Sequence, residues 1–219
     1  MFKAVIFDWD GTLADTRKAI LYSFHKALSE VGADVGDAQI ERLIGIGSAE
    51  TFREILRASN VTFDDELIRR LVETKIQAEI EVSNQTTLFN GALELLQSLK
   101  GTVKLGLASM KNRKIINHLL QTTKTQGFFE VVITADEITQ HKPSPEIFLK
   151  TACKLGVQPE RCVVVEDSIF GVEAAKTAHM GCVAVAQGAY SAVELGKANP
   201  DITVDSLREK DTILRYILG

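Results

Sequence analysis

The sequence predicts an α/β fold: a Rossmann-like, doubly wound parallel sheet with an inserted α-helical bundle. Short apolar runs rich in β-branched residues alternate with amphipathic helical segments from residue 84 onward, as in parallel sheets covered on both faces. An isolated apolar run at residues 5–7 precedes this region. Residues 16–83, between the two, carry helical periodicity alone, which implies a separate small bundle.

The first predicted strand ends in two carboxylates, within the stretch Asp8, Trp9, Asp10, Gly11 and Thr12. Because side chains alternate along a strand, Asp8 and Asp10 are expected on one side, with Trp9 packed opposite. Two ionised acids this close need a cation or hydrogen bonds, and Gly11 allows a tight turn whose N–H groups face an anion. The stretch therefore indicates a divalent metal, a phosphate and a carboxylate able to attack it. An ordinary Asp-Gly turn is the competing interpretation.

Four helices are predicted next. The first has apolar residues on one face and ends at Gly32. A short helix at 38–44 has Asp37 as its cap, a third is capped by Ser48, and a long helix spans 65–82. The apolar stripe of the long helix consists of Leu67, Ile68, Leu71, Val72, Ile76 and Ile80. We expect residues 16–83 to form a helical cap domain on a core of residues 1–15 and 84–219, with linkers near 14–16 and 83–87.

The remaining elements alternate between helix and strand. Asn90 is expected to cap a helix that runs to residue 99, and Ser144 with Pro145 opens another that runs to 154. The other predicted helices cover residues 111–120 and 168–178 and a last segment from 206, and the predicted strands cover 103–108, 131–134, 162–165, 182–186 and 202–204.

Composition excludes several classes of protein. The 219 residues are 45% hydrophobic and 25% charged, as in ordinary globular domains, and the net charge of −4 gives no support to nucleic-acid binding. No apolar run approaches the roughly 18–20 residues that a membrane span needs. Three cysteines without CxxC spacing, with Cys162 and Cys182 in apolar runs, favour a reducing, cytoplasmic setting. A monomer or weak homodimer is expected.

Polar residues cluster where the predicted strands end. Ligands of open parallel sheets bind beyond the carboxyl ends of the strands. Taken singly, Ser109 is explained as a helix cap and Lys142 as a solvated surface charge. Together they indicate one site at one edge of the sheet. Its polar residues are Asp8, Asp10, Ser109, Lys111, Asn112, Lys142, Glu166 and Asp167.

The sequence resembles the haloacid dehalogenase superfamily of aspartate-nucleophile phosphotransferases. The four motifs of that superfamily are matched, in order along the chain, by Asp8-Trp9-Asp10-Gly11-Thr12, Ser109, Lys142 and Glu166-Asp167. The motif spacing and the helical insertion after the first motif resemble the branch that contains phosphoglycolate phosphatases and β-phosphoglucomutases. The resemblance covers essentially the whole chain.

The resemblance implies a role for each motif residue. Asp8 would be the nucleophile that forms an aspartyl phosphate, and Asp10 the general acid and base. The groups expected to hold the phosphoryl oxygens are Ser109, Lys142 and backbone N–H groups near Gly11, Thr12 and Met110.

A Mg²⁺ ion is also implied, because the carboxylate nucleophile and the phosphoryl group are both anionic and repel each other. Asp8 and Asp167 would bind it through their side chains and Asp10 through its backbone carbonyl. Glu166 would bind it directly or through water.

Three functions compete. The first is a Mg²⁺-dependent phosphatase for a small phosphomonoester, phosphoglycolate-like by resemblance. The second is a β-phosphoglucomutase-like sugar-phosphate mutase, whose relatives usually carry Val where Thr12 stands and Arg where Ser48 stands. The third is a non-catalytic binding protein that kept the fold, which would be expected to have lost Asp8 or Asp10. Specificity is expected to lie within residues 16–83, around residues 42–48.

Overall fold

The computed structural model describes all residues, 1–219, and its centre is a six-stranded, all-parallel sheet. The strands of the chain are β1 (Ala4–Phe7), β2 (Ala14–Asp15), β3 (Thr87–Leu88), β4 (Lys104–Ser109), β5 (Val131–Thr134), β6 (Cys162–Glu166), β7 (Gly181–Val185) and β8 (Ile202–Val204). The sheet has the order β5-β4-β1-β6-β7-β8, so β1 lies between β4 and β6. Phe7 pairs with Leu107 and with Val165, which brings the carboxyl ends of the three central strands close together. The predicted fold class is confirmed.

The chain has ten α-helices. The first four form the inserted segment, and the other six flank the sheet. The ten are α1 (Arg17–Leu28), α2 (Asp37–Glu41), α3 (Ser48–Ala58), α4 (Asp65–Val82), α5 (Ala92–Leu99), α6 (Arg113–Thr122), α7 (Glu146–Leu155), α8 (Ile169–Thr177), α9 (Ala192–Gly196) and α10 (Lys210–Leu218). None of them combines the length and the apolar character that a membrane crossing requires.

Four predicted helix caps are wrong. Ser144 is one of them, because Pro145 holds the cap position and α7 begins at Glu146. Asp37 is the first residue of α2, and its carboxylate lies 2.7 Å from His25 instead of capping the helix. Glycines take the cap positions expected for Ser48 and Asn90, because Gly47 and Gly91 have φ of 95° and 92°, a backbone conformation that other residues rarely adopt. The last helix begins at Lys210 rather than at residue 206, after a turn in which Glu209 N–H donates to the Ser206 carbonyl.

Alternate residues of β1 supply two apolar layers. Val5 and Phe7 belong to a cluster on one face of the sheet, while Ala4 and Ile6 belong to a cluster on the other. Trp9 is fully buried in the first cluster, which confirms that it packs away from the carboxylates. Burial of apolar surface on both faces is the dominant stabilising contribution in such a fold.

Residues 16–83 are helical and have apolar contacts of their own. Eleven buried residues between Ile20 and Leu71 form a third cluster, to which α1, α3 and α4 contribute. The two chain segments that connect this region to the sheet pair as an antiparallel ribbon, β2 with β3. This ribbon was not predicted, because two-residue strands are too short to show an alternating pattern.

Candidate active site

The sequence-predicted site residues meet at the carboxyl edge of the sheet. Asp8 follows β1 directly, Ser109 ends β4, and Glu166 ends β6. Lys142 comes from the loop between β5 and α7, and Asp167 precedes the Ser168 cap of α8. The strand register therefore gathers polar groups from four separate parts of the chain.

Lys142 is the centre of the site. Its side chain is fully buried, and its Nζ donates to Asp8 Oδ1 at 2.7 Å and to Glu166 Oε1 at 2.5 Å. Burial lowers the pKa of Lys142, but the two carboxylates outweigh this effect and raise the pKa above its ordinary value. The lysine is therefore a buried, permanently charged group, not the solvated surface cation that its residue type alone would suggest.

The nucleophile candidate carries an unfavourable charge. Burial raises the pKa of Asp8 to about 7; the Lys142 ammonium opposes this, and the nearby carboxylates of Glu166 and Asp10 add to it. Asp8 Oδ1 accepts from Lys142, whereas Oδ2 accepts no hydrogen bond within the chain. A ligand that supplies positive charge would therefore stabilise the ionised form.

Asp167 is held by the turn that follows β1. Thr12 donates from Oγ1 to Asp167 Oδ1 at 3.0 Å. A Cβ at Gly11 or at Gly188 would lie 2.0 Å or 1.8 Å from Asp167 Oδ2, so only glycine leaves room for this carboxylate. Burial, with Glu166 and Asp8 adding to it, raises the pKa of Asp167 well above its ordinary value.

Gly11 and Thr12 differ from their expected roles in phosphate binding. The Gly11 N–H donates to the Ala14 carbonyl at 3.0 Å, because the chain turns back on itself at Gly11, so this N–H is not free for an anion. The Thr12 hydroxyl is directed at Asp167, and only its backbone N–H remains without an acceptor in the chain.

Glu166 has no free carboxylate oxygen. Oε1 accepts from Lys142, and Oε2 accepts from the backbone N–H groups of Asp167 and Ser168, both at 2.7 Å. Direct metal binding would require these hydrogen bonds to break. The geometry instead makes Glu166 the group that orients Lys142.

Other backbone N–H groups next to Asp8 and Ser109 are free of partners. Those of Trp9, Asp10 and Met110 have no acceptor within the chain. Ser109 is fully buried and accepts from the Lys111 N–H at 3.2 Å, which leaves its own O–H able to donate to a ligand. These donors and the Lys142 ammonium form a set suited to an anion.

Asp10 has partners that the sequence analysis did not identify. Its Oδ1 accepts from Thr16 Oγ1 at 2.5 Å and lies 2.9 Å from Lys111 Nζ. Lys111 in turn pairs with Glu79 of α4, and Glu79 with Lys75. The sequence did contain an indication of these partners. Lys75 and Glu79 continue the helical spacing of Ile68 and Leu71, so they are charged residues on the inward face of α4.

Two clefts reach Asp10. One is lined by Ser48, Thr51 and Lys75 among others. The second includes Asp167 and Tyr190 in its lining. Helical residues of the 16–83 segment therefore form walls of both spaces next to the candidate acid/base residue.

A family model described as haloacid dehalogenase-like hydrolase matches residues 5–185. The chain is 29% identical over 213 residues to pyrophosphatase PpaX of Oceanobacillus iheyensis, covering 97% of this chain and 96% of that protein. It is 29% identical over 211 residues to a phosphoglycolate phosphatase of Pseudomonas savastanoi, covering 94% of this chain and 78% of that protein. A solved β-phosphoglucomutase from Clostridium difficile matches with a TM-score of 0.85 and 30% identity over 100% of both chains.

The family model includes every motif residue named above, from Asp8 to Asp167, and the solved structure shares the fold over its full length. The chain belongs to the haloacid dehalogenase-like hydrolase family.

Proposed function

We propose that this protein is a Mg²⁺-dependent phosphatase that hydrolyses a small phosphomonoester, phosphoglycolate-like, through an aspartyl phosphate on Asp8. The observation that carries the proposal is the buried pair of Asp8 and Lys142 at the carboxyl edge of the sheet. The pair fixes one oxygen of the carboxylate and leaves Asp8 Oδ2 free to attack phosphorus. Family membership and phosphatase relatives support the reaction class.

The reaction consists of two displacements at phosphorus. Asp8 Oδ2 forms a bond to phosphorus while the bond to the leaving oxygen breaks, and Asp10 gives that oxygen its proton. Asp10 then takes a proton from water, which attacks the aspartyl phosphate and releases inorganic phosphate with the Asp8 carboxylate restored. Lys142, Ser109 and the free N–H groups of Trp9 and Met110 would hold the phosphoryl oxygens.

The donor set fits a hard divalent cation. Asp8 and Asp167 are buried carboxylates whose pKa values are raised by burial and by neighbouring carboxylates, against the opposing effect of Lys142. A bound cation would stabilise their ionised forms. Three acidic side chains do not gather at one point, because Lys142 lies between Asp8 and Glu166. We therefore assign Mg²⁺ to the side chains of Asp8 and Asp167 and the carbonyl of Asp10, with Glu166 as the orienting partner of Lys142. When bound, Mg²⁺ would reduce the repulsion between the carboxylates and the phosphoryl group.

Residues 16–83 are proposed to act as a cap domain on the core formed by residues 1–15 and 84–219. Their own apolar cluster and the clefts that they line beside Asp10 support this division. The cap would exclude water during the first displacement and contact the leaving group. We further propose a cytoplasmic monomer or weak homodimer; the three cysteines are free thiols, as such a setting allows.

A mutase is the second candidate, favoured by 30% identity with the solved β-phosphoglucomutase. Thr12 and Ser48 occupy positions where mutase relatives usually carry Val and Arg. Thr12 uses its hydroxyl on Asp167, a contact that Val cannot make. This difference favours hydrolysis.

The first test is phosphate release from a substrate panel, with Mg²⁺ and with chelator. The panel contains phosphoglycolate, sugar phosphates including β-glucose 1-phosphate, and inorganic pyrophosphate. We expect Mg²⁺-dependent release that Asp8→Asn abolishes while its circular dichroism and thermal unfolding stay near those of the wild type, since Asn keeps the size of the side chain but not its nucleophilicity.

The outcomes separate the candidates. Near-normal turnover by Asp8→Asn would contradict the covalent mechanism. Conversion of β-glucose 1-phosphate to glucose 6-phosphate without phosphate release would establish the mutase instead.

A further inference from the structure

A buried ion cluster joins the predicted cap to the core. It consists of Lys75 and Glu79 on α4 and Lys111 after β4, whose side chains are 3%, 1% and 3% exposed. Lys and Glu are seldom buried to this extent unless they are paired. None of the three belongs to the motifs that define the proposed chemistry, so the cluster needs a separate explanation.

The cluster is a chain of ion pairs that ends at Asp10. Glu79 Oε2 accepts from Lys75 Nζ, and Glu79 Oε1 accepts from Lys111 Nζ. Lys111 Nζ also lies 2.9 Å from Asp10 Oδ1. Lys75 makes no hydrogen bond to Asp10, so Glu79 reaches the acid/base candidate only through Lys111.

Both groups that bind Asp10 use the same carboxylate oxygen. Thr16 Oγ1 and Lys111 Nζ both approach Oδ1, which leaves Oδ2 without a partner in the chain. A cation at Oδ1 disfavours protonation there, so Oδ2 is the oxygen suited to carry the transferable proton. The position of the Lys111 ammonium therefore determines which Asp10 oxygen is suited to carry the proton.

We propose that Glu79 is a positioning residue for acid/base catalysis: it holds Lys111 against Asp10 Oδ1, so that the cap helix sets the orientation of Asp10. This inference rests on the proposed phosphatase function and deepens it. When Glu79 is replaced, Asp10 is the one anionic partner left to Lys111. The Lys111 ammonium then has no ion pair to α4 that would hold its position. Asp10 then presents its proton less accurately to the leaving oxygen.

The test compares two leaving groups in Glu79→Gln. An alkyl phosphate such as phosphoglycolate needs a proton on its departing oxygen, whereas p-nitrophenyl phosphate releases a stable anion without one. The ratio kcat/KM reports formation of the aspartyl phosphate for both substrates. We expect Glu79→Gln to lower kcat/KM for the alkyl phosphate about 10²-fold, the low end of general acid contributions, and for the aryl phosphate by less than about 3-fold. Asp10→Asn should show the same selectivity with a larger loss.

Glu81→Gln is the matched control, since it removes a carboxylate and an ion pair, with Lys26, from an exposed part of the same helix. It should leave both substrates unaffected. Glu79→Gln leaves two buried lysines beside one carboxylate; should it fail to fold, the double variant Glu79→Gln/Lys75→Met removes the excess cation and is measured in its place.

Equal losses for the two substrates, or no loss for the alkyl phosphate, would overturn the positioning role of Glu79. A wild-type protein that releases phosphate from no member of the panel would instead overturn the proposed function, and the two failures are therefore distinguishable.

Discussion

The arrangement around Asp167 illustrates how single residues prepare the site. Its carboxylate lies against the backbones of Gly11 and Gly188 and accepts one side-chain hydrogen bond, from Thr12. Removing a group that orients a metal ligand typically lowers metal affinity or activity about 10–100-fold. Thr12 is thus a support for Asp167 in addition to being part of the turn that follows β1.

Replacing Thr12 by Val tests this role at constant side-chain shape. Val keeps the packing of the fully buried side chain but removes the hydroxyl, so Asp167 loses its hydrogen bond. We expect the Mg²⁺ concentration for half-maximal activity to rise about 10–100-fold, as is typical when the support of a metal ligand is removed. A Mg²⁺ titration of phosphate release measures it, and Thr12→Ser, which keeps the hydroxyl, should restore tight activation. An unchanged Mg²⁺ requirement in Thr12→Val would show that the contact does not orient the ligand.

At the scale of elements, helix α8 is packed directly on the Glu166 carboxylate. Glu166 accepts from the backbone N–H groups of Asp167 and Ser168, just ahead of the helix. One turn into the helix, a Cβ at Gly171 would lie 1.9 Å from Glu166 Oε1. The start of α8 therefore fixes the partner of Lys142.

Gly171→Ala and Gly196→Ala should change stability in opposite directions. Ala is favoured over Gly in a helix by up to about 1 kcal/mol, and an added methyl at Gly196 of α9 meets no atom within 4 Å. At Gly171 the same methyl must displace Glu166, for which we expect a loss of about 1–3 kcal/mol and of most phosphatase activity. Urea unfolding measures both variants. Stabilisation by Gly171→Ala would mean that Glu166 can move freely.

The elements show where prediction from sequence succeeds. The strands of the six-stranded sheet and the long helix α4 were predicted at nearly their observed bounds, because the strands are continuous apolar runs and the helix has a clear apolar stripe. The inward face of α4 was predicted less well, since Lys75 and Glu79 are buried there beside Ile68 and Leu71. Hydrophobic patterning assigns charged residues to solvent, and only the tertiary fold brings Lys111 to them. For the same reason the Gly11 N–H and the Glu166 oxygens were expected to be free for ligands, although partners within the chain occupy them.

At the scale of the whole molecule, two ion-pair contacts between residues 16–83 and the core differ in strength. Arg42 pairs with Glu194 at 2.6 Å and lies over the Tyr190 ring, but its side chain is half exposed. Exposed pairs contribute roughly 0–1 kcal/mol. The pair between Glu79 and Lys111 is buried, and breaking such a pair costs about 3–5 kcal/mol because a charge remains without compensation. The buried pair should therefore dominate the coupling between the two parts.

This coupling should appear as a pH-dependent contribution to stability. Burial raises the pKa of Glu79, but Lys111 and Lys75 outweigh it and hold the pKa at about 2, below the ordinary 4.5. A lowered carboxyl pKa stabilises the fold above the unfolded-state pKa and loses that contribution as pH falls toward the folded-state value. The difference in free energy of unfolding between the wild type and Glu79→Gln should therefore be largest near pH 7 and about 2 kcal/mol smaller at pH 3.

Urea unfolding of both proteins at pH 7, 5, 4 and 3 measures this difference. Glu81→Gln accounts for the loss of a carboxylate elsewhere on α4, because Glu81 forms only an exposed pair with Lys26. A difference that stays constant with pH would mean that the two lysines do not stabilise the ionised Glu79. The pair of Glu79 and Lys111 would then contribute little to the coupling between residues 16–83 and the rest of the chain.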